Sequence, residues 1–258
     1  MDDALNKSPF RPEASEALVR IEKVRKTYGH KIVHRGIDLE IRRGEILTLM
    51  GGSGSGKSVL LRSIIGLERP DSGRILFHGQ DVTALDEENL VDVRKRIAYV
   101  FQYGALFDSY TVNENLAYPL REHTRFSDAE IQTKVDAALG KVGLSGSGEL
   151  FPSDLSGGMQ RRVGVARAII LEPEVILYDE PTTGLDPYNT KQILKIILQL
   201  QEQGATSVLV THDMSSIFRV TDRVAFLREG EIYALGDADE IHASRDPLLS
   251  GFINGETP

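Results

Sequence analysis

Apolar and polar residues alternate through Val19 and Ile21, and again through Ile37, Leu39 and Ile41. A period of two marks strands with one buried face, so these stretches predict an antiparallel layer near the N-terminus. Three other runs are short and mostly apolar: Glu45-Ile-Leu-Thr-Leu-Met50, Val175-Ile-Leu-Tyr178 and Ser207-Val-Leu-Val210. Parallel strands covered on both faces have that character. Helical spacing follows them, as in Ile193, Leu194, Ile197, Leu198 and Leu200, with Gly204 as the stop. Near the end, Arg223–Arg228, the pair Glu229-Gly230 and Glu231–Leu235 predict a hairpin. Strand and helix in alternation predict a doubly wound α/β sheet with its functional residues at the carboxyl ends of the strands.

Residues 104–158 break that alternation, with helix-like segments and the punctuation Gly143-Leu-Ser-Gly-Ser-Gly148. They are expected to be a helical subdomain inserted into the α/β core. Residues 1–16 and 246–258 are expected to be tails around a domain spanning 17–245. The 258 residues carry a formal net charge of −8, which argues against a broad basic surface for nucleic acid. Local basic groups, Arg94-Lys95-Arg96 and Arg161-Arg162, are expected to be solvated helix faces, and His30 and His34 surface residues. There is no cysteine, so disulfides and thiolate metal sites are excluded. The acidic opening MDDALNKSPFRPEASEA lacks the basic-then-apolar order of a signal peptide. No apolar run approaches the ~20 residues needed to span a bilayer, so any work at a membrane requires a partner that does the spanning.

After the strand ending at Met50 come Gly51, Gly52, Ser53, Gly54, Ser55, Gly56, Lys57 and Ser58, then Val59-Leu60-Leu61 of a helix. This satisfies G-x-x-x-x-G-K-[ST] in the strand–loop–helix context it requires. Glycines let successive N–H groups turn inward around an anion, and the helix N-terminus adds its dipole. Lys57 is expected to reach the β- and γ-phosphates and Ser58 to ligate Mg²⁺. The fold class is then a P-loop NTPase of the RecA-like kind. Asp179-Glu180-Pro181 follows a buried strand, where Asp179 can hold the metal and Glu180 can orient or deprotonate water. The next strand ends Thr211-His212-Asp213, placing His212 to sense the γ-phosphate. No N-K-x-D guanine reader occurs, which favours ATP.

Leu155-Ser156-Gly157-Gly158-Met159-Gln160-Arg161-Arg162 resembles the LSGGQ signature of ABC-transporter ATPases, and it lies between the phosphate loop and Asp179-Glu180 as in that family. The resemblance covers about residues 17–245. It implies adenine stacking on Tyr28, a nucleotide contact at Val59, and Gln102 at the metal and the attacking water. It also implies a head-to-tail homodimer sandwiching two ATP molecules, in which Ser156, Gly157 and Gly158 of one copy meet the γ-phosphate held by the other. The chain departs from the commonest pattern at Met159, at Gly52 where Pro is frequent, and at Val59 where Thr is frequent. None of these removes an expected phosphate contact.

The stretch FQYGALFDSYTVNENLAYPLREH, residues 101–123, is similar to a segment of the ATPases that drive MCE-type lipid transporters, the Mla-like group. That likeness implies a MlaE-like permease dimer, an MCE-domain lipid-binding protein, and a place on the cytoplasmic face of the inner membrane. Tyr103, Leu106 and Phe107 are candidates for a groove that receives a permease helix, with Leu106 the one expected to serve the subdomain's own core. The alternatives are an importer ATPase for another solute, a non-transport ABC ATPase, a small-molecule P-loop kinase and a regulatory module. Absence of coiled coils or a second cassette disfavours the non-transport class. The signature disfavours the kinase, and Glu180 with His212 the non-hydrolysing module.

Overall fold

The computed structural model describes residues 16–211 and 217–256. The N-terminal layer contains β1 (Ala17–Tyr28), β2 (Lys31–Arg42), β4 (Ser72–Phe77) and β5 (Gln80–Asp81) in the order β2-β1-β4-β5. Val19 pairs with Ile41 and Ile21 with Leu39, so the alternating apolar residues fall on one shared face. The second sheet has the order β10-β9-β3-β8-β7-β6, built from β3 (Ile46–Met50), β6 (Ile97–Val100), β7 (Val175–Asp179), β8 (Thr206–Val210), β9 (Arg223–Arg228) and β10 (Glu231–Asp237). β9 to β6 run parallel, and β10 closes the edge as the expected antiparallel hairpin. Glu229 and Gly230 both take positive φ, as the tight two-residue turn requires.

The continuous apolar runs are explained by two cores, one on each side of this sheet. From β7, Val175 and Leu177 enter the core shared with the N-terminal layer, while Ile176 and Tyr178 enter the core shared with the helices. β3 begins one residue later than its apolar run, at Ile46, because Glu45 is turned into a buried pair with Arg223 at 3.0 Å.

The phosphate-loop helix α1 (Lys57–Ile64) follows β3, and α2 (Glu87–Arg96) leads into β6. Between β6 and β7 lie α3 (Val112–His123), α4 (Asp128–Lys141) and α5 (Gly157–Ile169), with no strand. This segment contains the expected helical insertion. Thr111 and Ser127 cap α3 and α4, each in a reciprocal capping box with the glutamate three residues on. The amphipathic run at 193–200 lies in α6 (Pro187–Glu202), where Ile193, Leu194, Ile197 and Leu200 are buried. α7 (Ala238–His242) and α8 (Pro247–Ile253) complete the chain. α8 falls inside the stretch expected to be a tail: Asp246 caps it, and Leu249 packs with Met50, Val224 and Phe226 of the chain's own sheet. Among the described residues no helix is long and apolar enough to cross a membrane.

Candidate active site

The parallel order β3-β8-β7-β6 sets four carboxyl ends side by side. They carry the phosphate loop, Thr211, Asp179-Glu180 and Gln102 respectively. Tyr28, Lys31, Val33, Ser53, Gly54, Gly56, Lys57, Ser58, Val59 and Glu180 line one open cleft of ≈ 320 Å³. Tyr28 is half exposed at its rim, with the Lys26 ammonium 5.0 Å from the ring centroid. Gly51, Gly52 and Ser55 complete the loop beneath, and the buried Ser55 hydroxyl has no hydrogen-bond partner among the described residues.

Lys57 is buried at the start of α1, and its ammonium donates to the carbonyls of Gly51 and Gly52, both at 2.8 Å. Burial holds its pKa below the usual lysine range, against the upward pull of Glu180 and Asp179. Gly56 has φ +101°, and a Cβ there would lie 2.6 Å from His34 Nε2 and 2.8 Å from Val33 Cγ1. His34 is therefore not the surface residue expected. It is 1% exposed on β2, and its Nε2–H donates to the Gly56 carbonyl at 3.1 Å. Burial pushes its pKa below the ordinary imidazole value, which favours the neutral ring. The alternation of β2 through Ile37, Leu39 and Ile41 gives no local sign of this contact.

Ser58 Oγ donates to Asp179 Oδ1 at 2.7 Å, and the Tyr99 hydroxyl donates to Asp179 Oδ2 at 2.7 Å. Both carboxylate oxygens are thus oriented. Sequence reading missed Tyr99. Its signal was a single polar tip in the buried run Ile97-Ala-Tyr-Val100. Burial, with the Asp179 bond, pushes the Tyr99 phenol far above its ordinary pKa, so it remains a donor. Glu180 sits at φ +53°, a sparsely populated conformation for a non-glycine residue. Its carboxylate accepts from Thr183 Oγ1 at 3.0 Å and Gln102 Nε2 at 3.3 Å, placing Gln102 beside Glu180. Thr183 was not anticipated. His212 lies outside the described residues.

Ser156, Gly157 and Gly158 are not among the residues lining the cleft; they open α5, with Ser156 Oγ accepting from the Met159 N–H at 3.3 Å. Arg161, expected on a solvated face, is buried. The Gly104 loop packs directly on α5, because Gly164 carries no side chain: a Cβ there would meet Gly104 Cα at 2.7 Å.

Residues 34–183, more than half of the chain, match the family described as ABC transporter. The chain belongs to the ABC transporter family. Within it, this chain is an ATP-hydrolysing subunit, with an α/β P-loop fold. It is 42% identical over 239 residues to the intermembrane phospholipid transport system ATP-binding protein MlaF of Escherichia coli K12, spanning 92% of this chain and 89% of that one. It is 37% identical to MlaF of Haemophilus influenzae, spanning 94% and 92%. A Mycobacterium tuberculosis H37Rv protein described as a probable ribonucleotide transport ATP-binding protein, mkl, is 37% identical, spanning 92% of this chain and 66% of its own length. Among solved structures, the dimeric post-hydrolysis cassette MJ0796 bound to ADP and Pi superposes with a TM-score of 0.79 at 33% identity, covering 85% of this chain and 98% of that one. The cbiO1 subunit of the Clostridium perfringens transporter complex cbiONQ gives 0.81 at 28% identity, covering 92% and 95%.

Proposed function

We propose that this ATPase energises phospholipid transport across a bacterial cell envelope through a separate MlaE-like permease and an MCE-domain lipid-binding protein. The observation that carries this reading is the likeness to E. coli MlaF along nearly the full length of both chains. The ATPase would work as a head-to-tail homodimer with two ATP, the assembly mode in keeping with the dimeric MJ0796 cassette. Its place would be the cytoplasmic face of the inner membrane, reached through the permease.

In this reading Tyr28 stacks on adenine, residues 51–59 cradle the phosphates, Glu180 activates water, Gln102 and His212 attend the γ-phosphate, and Ser156 to Gly158 serve the partner's ATP. Mg²⁺ suits the oxygen donors here, since it commonly combines one or two carboxylates with substrate phosphates and water. The paired Ser58 hydroxyl and Asp179 carboxylate would hold it, with Gln102 near. Among the described residues no cluster of three His, Cys, Asp or Glu forms a complete protein cage. When bound, the ion would neutralise charge developing on the transferred phosphoryl group.

The segment after Gln102 fits a docking role. Asn115 is buried and pins it, accepting from the Phe107 N–H at 2.8 Å and donating to the carbonyls of Phe107, Tyr110 and Thr111. Phe107 then packs against Tyr110 and Tyr118 with centroid separations of 5.3 Å, yet stays half exposed. Tyr103 is 75% exposed, while Leu106 packs on the helical core. Replacing Tyr103 and Phe107 together by alanine is expected to weaken permease association at least about tenfold, a usual loss for aromatic anchors. ATP affinity should stay within about twofold, because neither side chain lines the nucleotide cleft. A pull-down and an ATP titration separate the two effects.

Affinity purification from gently solubilised native membranes, with mass spectrometry of proteins and lipids, tests the transport assignment. Recovery of a multispanning permease, an MCE-domain protein and phospholipid is the expected result. A permease with bound nucleotide or another solute would overturn the lipid assignment and favour a reading like that named for the mycobacterial relatives. Recovery with no membrane protein would reject the transport role.

A further inference from the structure

Arg161 lies near the start of α5, the helix opened by Ser156, Gly157 and Gly158, and is only 5% exposed. Its guanidinium Nη1 donates to the Glu180 carbonyl at 3.1 Å and its Nη2 to the Thr183 carbonyl at 3.3 Å. One rigid fork therefore grips both ends of the turn 180–183. The same turn supplies the Thr183 hydroxyl that donates to the Glu180 carboxylate at 3.0 Å. Glu180 holds a sparsely populated backbone conformation that persists only where the surroundings impose it. Its N–H donates to the Val210 carbonyl at 2.9 Å, which secures one side, and Arg161 secures the other. The guanidinium also lies over the Tyr103 ring, 5.6 Å from its centroid. Tyr103 adjoins Gln102, whose amide donates to the Glu180 carboxylate.

Burying a guanidinium is costly, and among the described residues its hydrogen-bond partners are neutral carbonyls, with no carboxylate to offset the charge. A neutral side chain of similar size would fill the space without that cost. What only the planar fork supplies is two fixed donors at the spacing of the two carbonyls.

We propose that Arg161 is a positioning residue for the Glu180 carboxylate: it fixes the 180–183 turn from the signature helix and, through Tyr103, ties that turn to the segment following Gln102. The proposal rests on Glu180 being the group that activates water. It goes further by assigning the orientation of that group to a side chain of the signature helix.

A double-mutant cycle tests it. Arg161→Met is expected to lower kcat for ATP about tenfold, since small displacements of a reacting group are costly. The Kd for ATP should change less than about twofold, because Arg161 does not line the nucleotide cleft. In a Glu180→Gln background, single-turnover measurements with radiolabelled ATP should show less than about a twofold further loss from Arg161→Met, as expected for residues acting as a unit. Another full tenfold loss in that background would overturn the proposal, as would ATP affinity falling as far as kcat. If Glu180→Gln alone leaves turnover unchanged, the role of Glu180 fails, and the proposal with it. Should Arg161→Met not fold, Arg161→Lys goes through the same cycle. An ammonium reaches one carbonyl without spanning both, so a loss of about threefold is expected, again absent when Glu180 is already Gln.

Discussion

Lys57→Ala is expected to abolish ATP binding at millimolar nucleotide while leaving the protein folded. The ammonium is buried at the floor of the phosphate loop and donates to two loop carbonyls at 2.8 Å. In the proposed site the same ammonium would turn to the phosphates that the loop cradles. Hydrogen bonds involving a charged group contribute about 1.5–3 kcal/mol each. Losing two therefore weakens binding by roughly 10²–10⁴, at about 1.4 kcal/mol per tenfold. Folding is less affected. The protein sheds a buried charge, whose desolvation already holds the Lys57 pKa down. Isothermal titration with ATP, alongside thermal unfolding, checks both halves; normal affinity in a folded variant would remove Lys57 from the phosphate site.

Glu180→Gln is expected to bind ATP normally and turn over about 10²–10⁴-fold more slowly, the usual contribution of a positioned acid or base. The amide is nearly isosteric and can still accept from Thr183 and Gln102, so the strained turn should survive. What disappears is the negative charge that can take a proton from water. In the proposed head-to-tail dimer, slow hydrolysis would keep ATP between the two copies and stabilise the dimer by mass action. Size-exclusion chromatography with ATP should show a dimer peak that lasts much longer than that of the unaltered protein. Turnover equal to that of the unaltered protein would exclude Glu180 as the base.

The parts legible in the sequence were those governed by short-range geometry. The alternation at Val19, Ile21, Leu39 and Ile41 specified strand faces, because side chains on a pleated strand point to opposite sides in turn. The phosphate loop was legible because cradling an anion with backbone N–H groups demands glycines at set spacing before a helix. Gly204 and the Glu229-Gly230 turn were legible for a similar local reason, since both glycines take positive φ.

Long-range partnerships were not legible in that way. Arg161 and His34 looked like solvated residues because charge and polarity are usually at the surface. Both are buried, one against the Glu180–Thr183 turn and the other beneath Gly56. Tyr99 gained its role only when β6 was set beside β7. Likewise, residues 246–258 offered no strong periodicity, yet α8 forms because the sheet provides an apolar surface for Leu249.

By itself, then, the sequence determined the alternating strands of the first layer, the apolar strands of the second, the closing hairpin, the glycine-rich loop, the signature and the acidic pair, since each depends on neighbours within a few residues. The tertiary structure alone decided which side chains hold those groups in place. Partners such as Arg161 and Glu180, 19 residues apart, or His34 and Gly56, 22 apart, meet only after the strands and helices pack, and no local pattern encodes the distance between them.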